Sequence, residues 1–357
     1  MGKSRVIYTD FFARYFVNQW YTHRANIQRT GTIQSRPIES GVEKWVFQTN
    51  GPVTSSPSVV NNTVYIGSQD KKLYALDVKD GSLKWAFCTE GKINSSPTII
   101  EDTVYIGSQD YNLYALNSNN GEKKWSFKTR GWIESSPVIF EDTAFIGSND
   151  SSFYAINIKN AQLKWKFQTG DAVVSSPAIW GELVYIASND GKIYALDTAT
   201  GKLIWSFVTG DYIVSSPAIS GKLLYIGSSD NKVYALDVDM GYQKWAFKAQ
   251  SFVQSSPAVA EGAVYIGSFD TCIYSLDAQT GALKWSYETE NAVDSSPSVA
   301  GGIVYAGSDD GTIYALNTET GKKQWEYKTG SEVDSSPSIV DGFLYVGSVD
   351  GKIYSLQ

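Results

Sequence analysis

Apolar and polar side chains alternate strictly from Leu83 to Thr89. Trp85, Phe87 and Thr89 share one side, and Ala86 and Cys88 the other. A period of two is that of a strand, not a helix. Three more short runs precede it, Val53–Val60, Thr63–Ser68 and Lys72–Asp77, rich in the Tyr, Val, Ile and Thr that pleated surfaces favour. Turn signals separate the runs: Asn61-Asn62 and Lys79-Asp80-Gly81 here, then Asp190-Gly191, Asp310-Gly311 and Asp350-Gly351 further on. Asp-Gly between apolar runs marks a tight hairpin. The stretch therefore predicts four antiparallel strands.

The unit repeats at a step of forty residues without one insertion, as Trp45, Trp85, Trp125, Trp165, Trp205, Trp245, Trp285 and Trp325 mark. A Ser-Ser-Pro triplet keeps the same step from Ser55 to Ser335, and an aspartate does so from Asp70 to Asp350. Eight four-stranded units predict an all-β, eight-bladed β-propeller. An open solenoid would need atypical capping repeats. Instead the chain starts its repeats with a lone outer strand, 43–49, and ends them with three strands, 333–356. The two ends complete one blade, which closes the ring and removes open edges. The reading gives two parts: a leader, 1–37, and the propeller, 38–357.

Composition narrows the chemistry. The 357 residues carry a net charge of −7, which disfavours nucleic acid as a partner. Two cysteines, Cys88 and Cys272, make neither a disulfide framework nor a metal knuckle. One histidine, His23, lies outside the repeats, so no base is at hand to activate the Ser-Ser-Pro serines. They are expected to pack where the innermost strands crowd the channel. The recurring aspartates are expected to bond local backbone in turns, not to ligate metal. No run of about 18 apolar residues suggests a membrane span. No secretory signal is visible, so a cytoplasmic location is expected, or a periplasmic or extracellular one if the N-terminus is processed.

The stretch Ala75-x-Asp77-x-x-x-Gly81-x-x-x-Trp85 resembles the tryptophan-docking motif of the PQQ-like propeller repeat family. It recurs at Ala195, Asp197, Gly201 and Trp205, and at Ala315, Asn317, Gly321 and Trp325. At Ala155, Asn157, Ala161 and Trp165 the glycine is missing. The resemblance implies that each tryptophan stacks on the neighbouring blade. The WD-repeat family has a similar period, but its Gly-His dipeptide is absent. Quinoprotein dehydrogenases of the PQQ-like family carry adjacent cysteines and a calcium site. This chain has no such cysteine pair and no long insertions, so no cofactor, no metal and no enzymatic activity are expected. The BamB-like members are eight-bladed scaffolds of outer-membrane assembly machinery and are similar in blade number and repeat length.

Positions that differ among the copies are free for function. Loops entering the first strand and loops between the second and third strands fall on one face. There Trp132, Tyr212, Phe252, Phe269 and Tyr111 replace smaller or polar residues, as an interaction hot spot would require. Lys92 and Arg130 stand in early blades, and Glu290, Asp294, Asp309, Glu332 and Asp334 in late ones. This dipolar face is expected to bind a protein partner. The residues before each Ser-Ser-Pro could instead bind a small polar ligand at the channel mouth. A quinone-dependent oxidoreductase is the least favoured reading.

The leader carries six basic residues against Asp10 alone. Between Asp10 and Arg24, aromatic residues including Phe12, Phe16 and Trp20 recur at three-to-four spacing, which predicts an amphipathic helix. Residues 25–38 read as an extended linker. The aromatic face would dock on the acidic propeller or on a partner protein, and less readily on a membrane surface or RNA.

Overall fold

The computed structural model describes residues 19–357. Thirty-two strands form eight four-stranded antiparallel sheets arranged as blades, here numbered in chain order. In blade 1, β2 (Ser58–Val60) is innermost, followed by β3 (Thr63–Gly67), β4 (Lys72–Asp77) and β5 (Leu83–Cys88). The innermost strand is shorter than the expected Val53–Val60. Pro57 has no N–H to give a ladder. Upstream of it the chain is held by side chains instead: the Gly67 N–H donates to the Ser55 hydroxyl at 3.2 Å.

Blade 8 joins the two ends of the chain. Strand β1 (Glu43–Gln48) pairs with β32 (Lys352–Leu356), which leads through β31 (Phe343–Gly347) to β30 (Ser338–Val340). Trp45 lies opposite Ser355, and Gln48 opposite Lys352. This is the closure that the incomplete end repeats predict. The core lies between blades. Val64, Ile66, Leu73 and Leu76 of blade 1 are fully buried, as are their equivalents around the ring.

The tryptophans belt the blades together. Trp45 donates its indole N–H to the Val78 carbonyl of the next blade at 2.9 Å, and Trp85 repeats the bond to Ser118 at 3.0 Å. The motif's glycine serves the preceding blade's tryptophan. Gly81 has φ +71°, and a Cβ there would stand 2.7 Å from the Trp45 ring. One blade departs from the rule: Ala161, at φ +57°, occupies the glycine position facing Trp125.

Most of the expected leader helix, including Phe12 and Phe16, lies outside the described residues. From Gln19 to Arg24 the chain is not helical, and Trp20 forms an antiparallel bridge with Val59 instead. Of the expected extended linker, 25–38, Ala25, Ile27, Arg29, Gly31 and Ile38 are buried. The reason lies in the channel.

Candidate functional site

The channel is built from the eight copies of Ser-Ser-Pro. The backbone N–H of Ser56 donates to the Ser96 hydroxyl at 3.0 Å, Ser96 to Ser136 at 2.9 Å, and so on round the ring. The last bond, Ser336 N–H to Ser56 Oγ at 3.0 Å, closes the circle. The serines thus do more than fit a crowded space: they join every blade to the next.

The residue after each proline divides the ring in two. The hydroxyls of Ser58, Thr98, Ser298 and Ser338 donate to the proline carbonyls of the next blade, at 2.6 to 2.7 Å. In the other blades this position is Val138, Ala178, Ala218 or Ala258, which has no donor. Pro177, Pro217, Pro257 and Pro297 therefore lack that hydroxyl. Two leader arginines reach three of these four. Arg24 donates to Pro257 and Pro297, both at 2.5 Å, and Arg29 donates to Pro177 at 2.9 Å. Arg29 also reaches Ser136, Pro137 and His23 carbonyls.

The leader backbone completes the plug. An innermost strand offers its free N–H groups to the channel, and a buried N–H needs an acceptor. The N–H groups of Val59, Ile99, Ile179, Ile219, Val259 and Val299 donate to the carbonyls of Trp20, Tyr21, Ile27, Gln28, Thr30 and Gly31. The leader circles the inside of the ring and pairs with six of its eight blades. Gly31 has φ +63°, and a Cβ there would meet the Arg24 guanidinium at 2.4 Å, so glycine is required.

Arg24 and Arg29 are completely buried and face carbonyl dipoles rather than carboxylates. Burial lowers both guanidinium pKa values to about 9, with the Arg29 charge adding to the effect on Arg24. Burial, then the two arginine charges, holds His23 well below its usual value, so it is neutral. In the sequence these arginines stand only as two of the leader's six basic residues. The split between hydroxyl and alanine at the post-proline position was the available signal.

The other mouth, ringed by the loops entering each first strand, carries the residues singled out from sequence. They fall into two groups. Lys92, Tyr111, Arg130 and Trp132 belong to blades 2 and 3, and Tyr212, Phe252 and Phe269 to blades 5 and 6. Trp132 is 47% exposed, Phe252 41% and Tyr111 39%. Phe269 packs against Phe252 with ring centroids 6.3 Å apart, and the Tyr212 hydroxyl accepts from Gln254 at 3.1 Å. Both are half-buried. Lys92 donates to Gln69 at 3.2 Å.

Charge at this mouth is unevenly compensated. Glu134 accepts from Gln109 at 2.8 Å and from Asn94 and Asn149 at 3.2 Å. Across the ring, Asp294, Asp309 and Asp334 lie near enough to repel one another. Burial, then Asp334 and Asp309, raises the Asp294 pKa to about 7. Burial and the neighbouring acids raise that of Asp309 to about 6. Asp334 shifts upward for the same reasons.

On the plugged face a cavity of about 1490 Å³ lies between leader residues 32–36 and blades 5, 6 and 7, with Arg36, Lys222 and Glu261 on its walls. The repeated aspartates serve structure. Asp70 accepts the Tyr74 hydroxyl at 2.6 Å and the N–H groups of Asn50 and Lys72.

Comparison with known proteins agrees with this architecture. The family described as outer membrane protein assembly factor BamB matches residues 29–166, 88–212, 165–251 and 247–357. The chain belongs to this BamB-like, PQQ-type propeller family. Solved structures share the fold at low identity. The computationally designed Ika8 protein is 19% identical over 88% of this chain and 99% of that one, with a TM-score of 0.80. BamB from Moraxella catarrhalis is 20% identical over 88% and 97%, with a TM-score of 0.76. Quinohemoprotein alcohol dehydrogenase from Comamonas testosteroni is 16% identical over 97% and 82%, with a TM-score of 0.85. No curated protein matches the chain.

The last similarity raises quinone chemistry. Cys88 is exposed on the outer strand of blade 1, and Cys272 begins the third strand of blade 6; both thiols are free. Among the described residues no three His, Cys, Asp or Glu side chains gather to hold a metal ion. These residues do not fit a vicinal cysteine pair with a calcium site. No helix of the described residues is long and apolar enough to cross a membrane.

Proposed function

We propose that this propeller is a non-catalytic scaffold that binds a protein partner through its loop face. The observation that carries this reading is the asymmetry of the channel. Residues 20–31 fill the end opposite the loops around Trp132 and Phe252, and those two side chains are exposed. Exposed aromatic side chains supply apolar anchors of the kind that dominate protein interfaces. Asp294, Asp309 and Asp334 favour a partner with a basic segment over that half of the mouth. The family's assembly role fits a partner that is part of a larger complex. The leader's first residues, Phe12 and Phe16 among them, provide a second contact with that partner. We assign 1–37 to this tethering part and 38–357 to the scaffold.

The test is recovery of a co-purifying partner by the intact chain, and by Trp132→Ala and Phe252→Ala. Loss of the partner in both variants, with unchanged melting, supports the loop face. Full recovery in both removes it. A small polar ligand at the channel mouth is the alternative, because Asp294, Asp309 and Asp334 set carboxyl groups without a cationic partner there. Thermal-shift screening separates the two. A ligand at 100 times its dissociation constant adds about 2.7 kcal/mol. A quinone absorption band in purified protein would instead argue for an oxidoreductase.

A further inference from the structure

The outer strand of each blade ends its sheet and exposes one unpaired edge. Such edges are templates for pairing with another chain, and charged side chains are the usual safeguard. Seven outer strands follow this rule. Six of them have lysine at the position of Ile204, and the seventh has Glu326 two residues beyond the equivalent Gln324. In blade 4, β16 (Lys192–Asp197) is followed by β17 (Leu203–Val208), whose sequence LIWSFV contains no charge at all. Its Leu203, Ile204 and Val208 are 41%, 48% and 63% exposed.

The apolar surface continues onto blade 5. Gly241 packs on Trp205 of β17, with its ideal Cβ 2.6 Å from the ring. Met240 and Tyr242, on either side of that glycine, are 60% and 65% exposed. Their counterparts in blade 1 are Asp80 and Ser82. Substitutions from polar to apolar on two adjacent blades therefore converge on one stretch of the rim.

We propose that this edge is the contact between two copies of the chain, with β17 pairing antiparallel to itself about a two-fold axis at Ser206. A symmetric antiparallel pairing must match residues that share a face. Centred on Ser206, it sets Ile204 against Val208 of the second copy, at both ends, with the two small serines between them. The opposite face matches Trp205 with Phe207. Charge fits the same register: Lys202 comes level with Gly210 of the second copy, beside Asp211. Both Lys202 and Asp211 are exposed. Ile204 is the extra residue of a bulge, so regular pairing covers Trp205–Phe207 and stays short, with Ile204 and Val208 meeting through their side chains at its ends.

Sedimentation of the intact chain across a concentration series tests this. The expected result is a monomer–dimer equilibrium, abolished in Ile204→Lys/Val208→Lys with the melting curve unchanged, because sister blades carry lysine at both positions. The register has its own test. Lys202→Asp weakens dimerisation by about tenfold, and adding Asp211→Lys restores it. An intact chain that stays monomeric, or a double-lysine variant that dimerises as well as the parent, overturns the proposal. Failure of the charge swap to restore dimerisation overturns the Ser206-centred pairing.

Discussion

Trp325 donates its indole N–H to the carbonyl of Ile38 at 2.7 Å, across a separation of 287 residues. The other seven tryptophans make this bond to the blade that follows them in sequence. Trp325 makes it to the start of the chain, so Ile38 stands where a residue beyond Gln357 would stand. The Ile38 N–H in turn donates to the Tyr305 hydroxyl at 2.8 Å. This double clamp holds the seam and fixes where the leader leaves the channel.

Removing the clamp should therefore destabilise the whole ring. Trp325→Ala should lose about 3–5 kcal/mol, as large aromatic truncations in packed interiors do. Urea denaturation of the variant against the intact chain measures it. A loss below about 1 kcal/mol would mean that the belt adds little beyond surface packing.

Ala161 marks the weakest point of the same belt. A non-glycine residue at φ +57° is strained, and Trp125 opposite it is less buried than most of the other belt tryptophans. Ala161→Gly should stabilise the protein by about 1 kcal/mol. Gly121→Ala should act oppositely, since its Cβ would stand 2.6 Å from the Trp85 ring. Paired melting curves decide both.

The arginine plug can be dissected by repair. Arg24→Ala leaves the Pro257 and Pro297 carbonyls without their charged donor, at a cost of about 2–4 kcal/mol. Ser298 shows how a hydroxyl caps the next blade's proline carbonyl. Ala218→Ser and Ala258→Ser should supply the same donor to Pro257 and Pro297. Added to Arg24→Ala they should recover part of the loss, whereas in the parent they should gain nothing. A double-mutant cycle reads the difference.

How much of this was legible in the sequence depends on whether a feature repeats. The blades were, because Trp45 to Trp325 and Ser55 to Ser335 keep one phase, and the missing strand after Leu356 pointed to Glu43–Gln48. The plug was not. Arg24 and Arg29 find their partners on backbone carbonyls from several blades, which no spacing in residues 20–31 encodes. Thr, Gly, Gln and Asn there look like a linker because the leader bonds through its backbone. The aromatic loop residues were found by comparing copies, and the structure leaves Trp132 and Phe252 exposed while Phe269 turns onto its neighbour.

The acidic mouth makes a prediction about pH. Asp294 titrates near 7 in the folded chain, against about 3.9 for an unfolded aspartate. The folded state binds this proton more tightly, so its stabilising effect is complete below about pH 4 and is lost as pH rises through about 7. Relative to Asp294→Asn, the parent should lose melting temperature between about pH 5 and pH 8. Parallel pH dependence in the two proteins would contradict the crowding of Asp294 with Asp309 and Asp334.

The central claim is that residues 20–31 occupy the channel and bond the innermost strands of six blades. Site-resolved amide hydrogen exchange tests it most directly. The amides of Val59, Ile99, Ile179, Ile219, Val259 and Val299 should exchange as slowly as mid-blade amides in the intact chain, and much faster once residues 1–37 are removed. Rapid exchange at these six positions in the intact chain would contradict it.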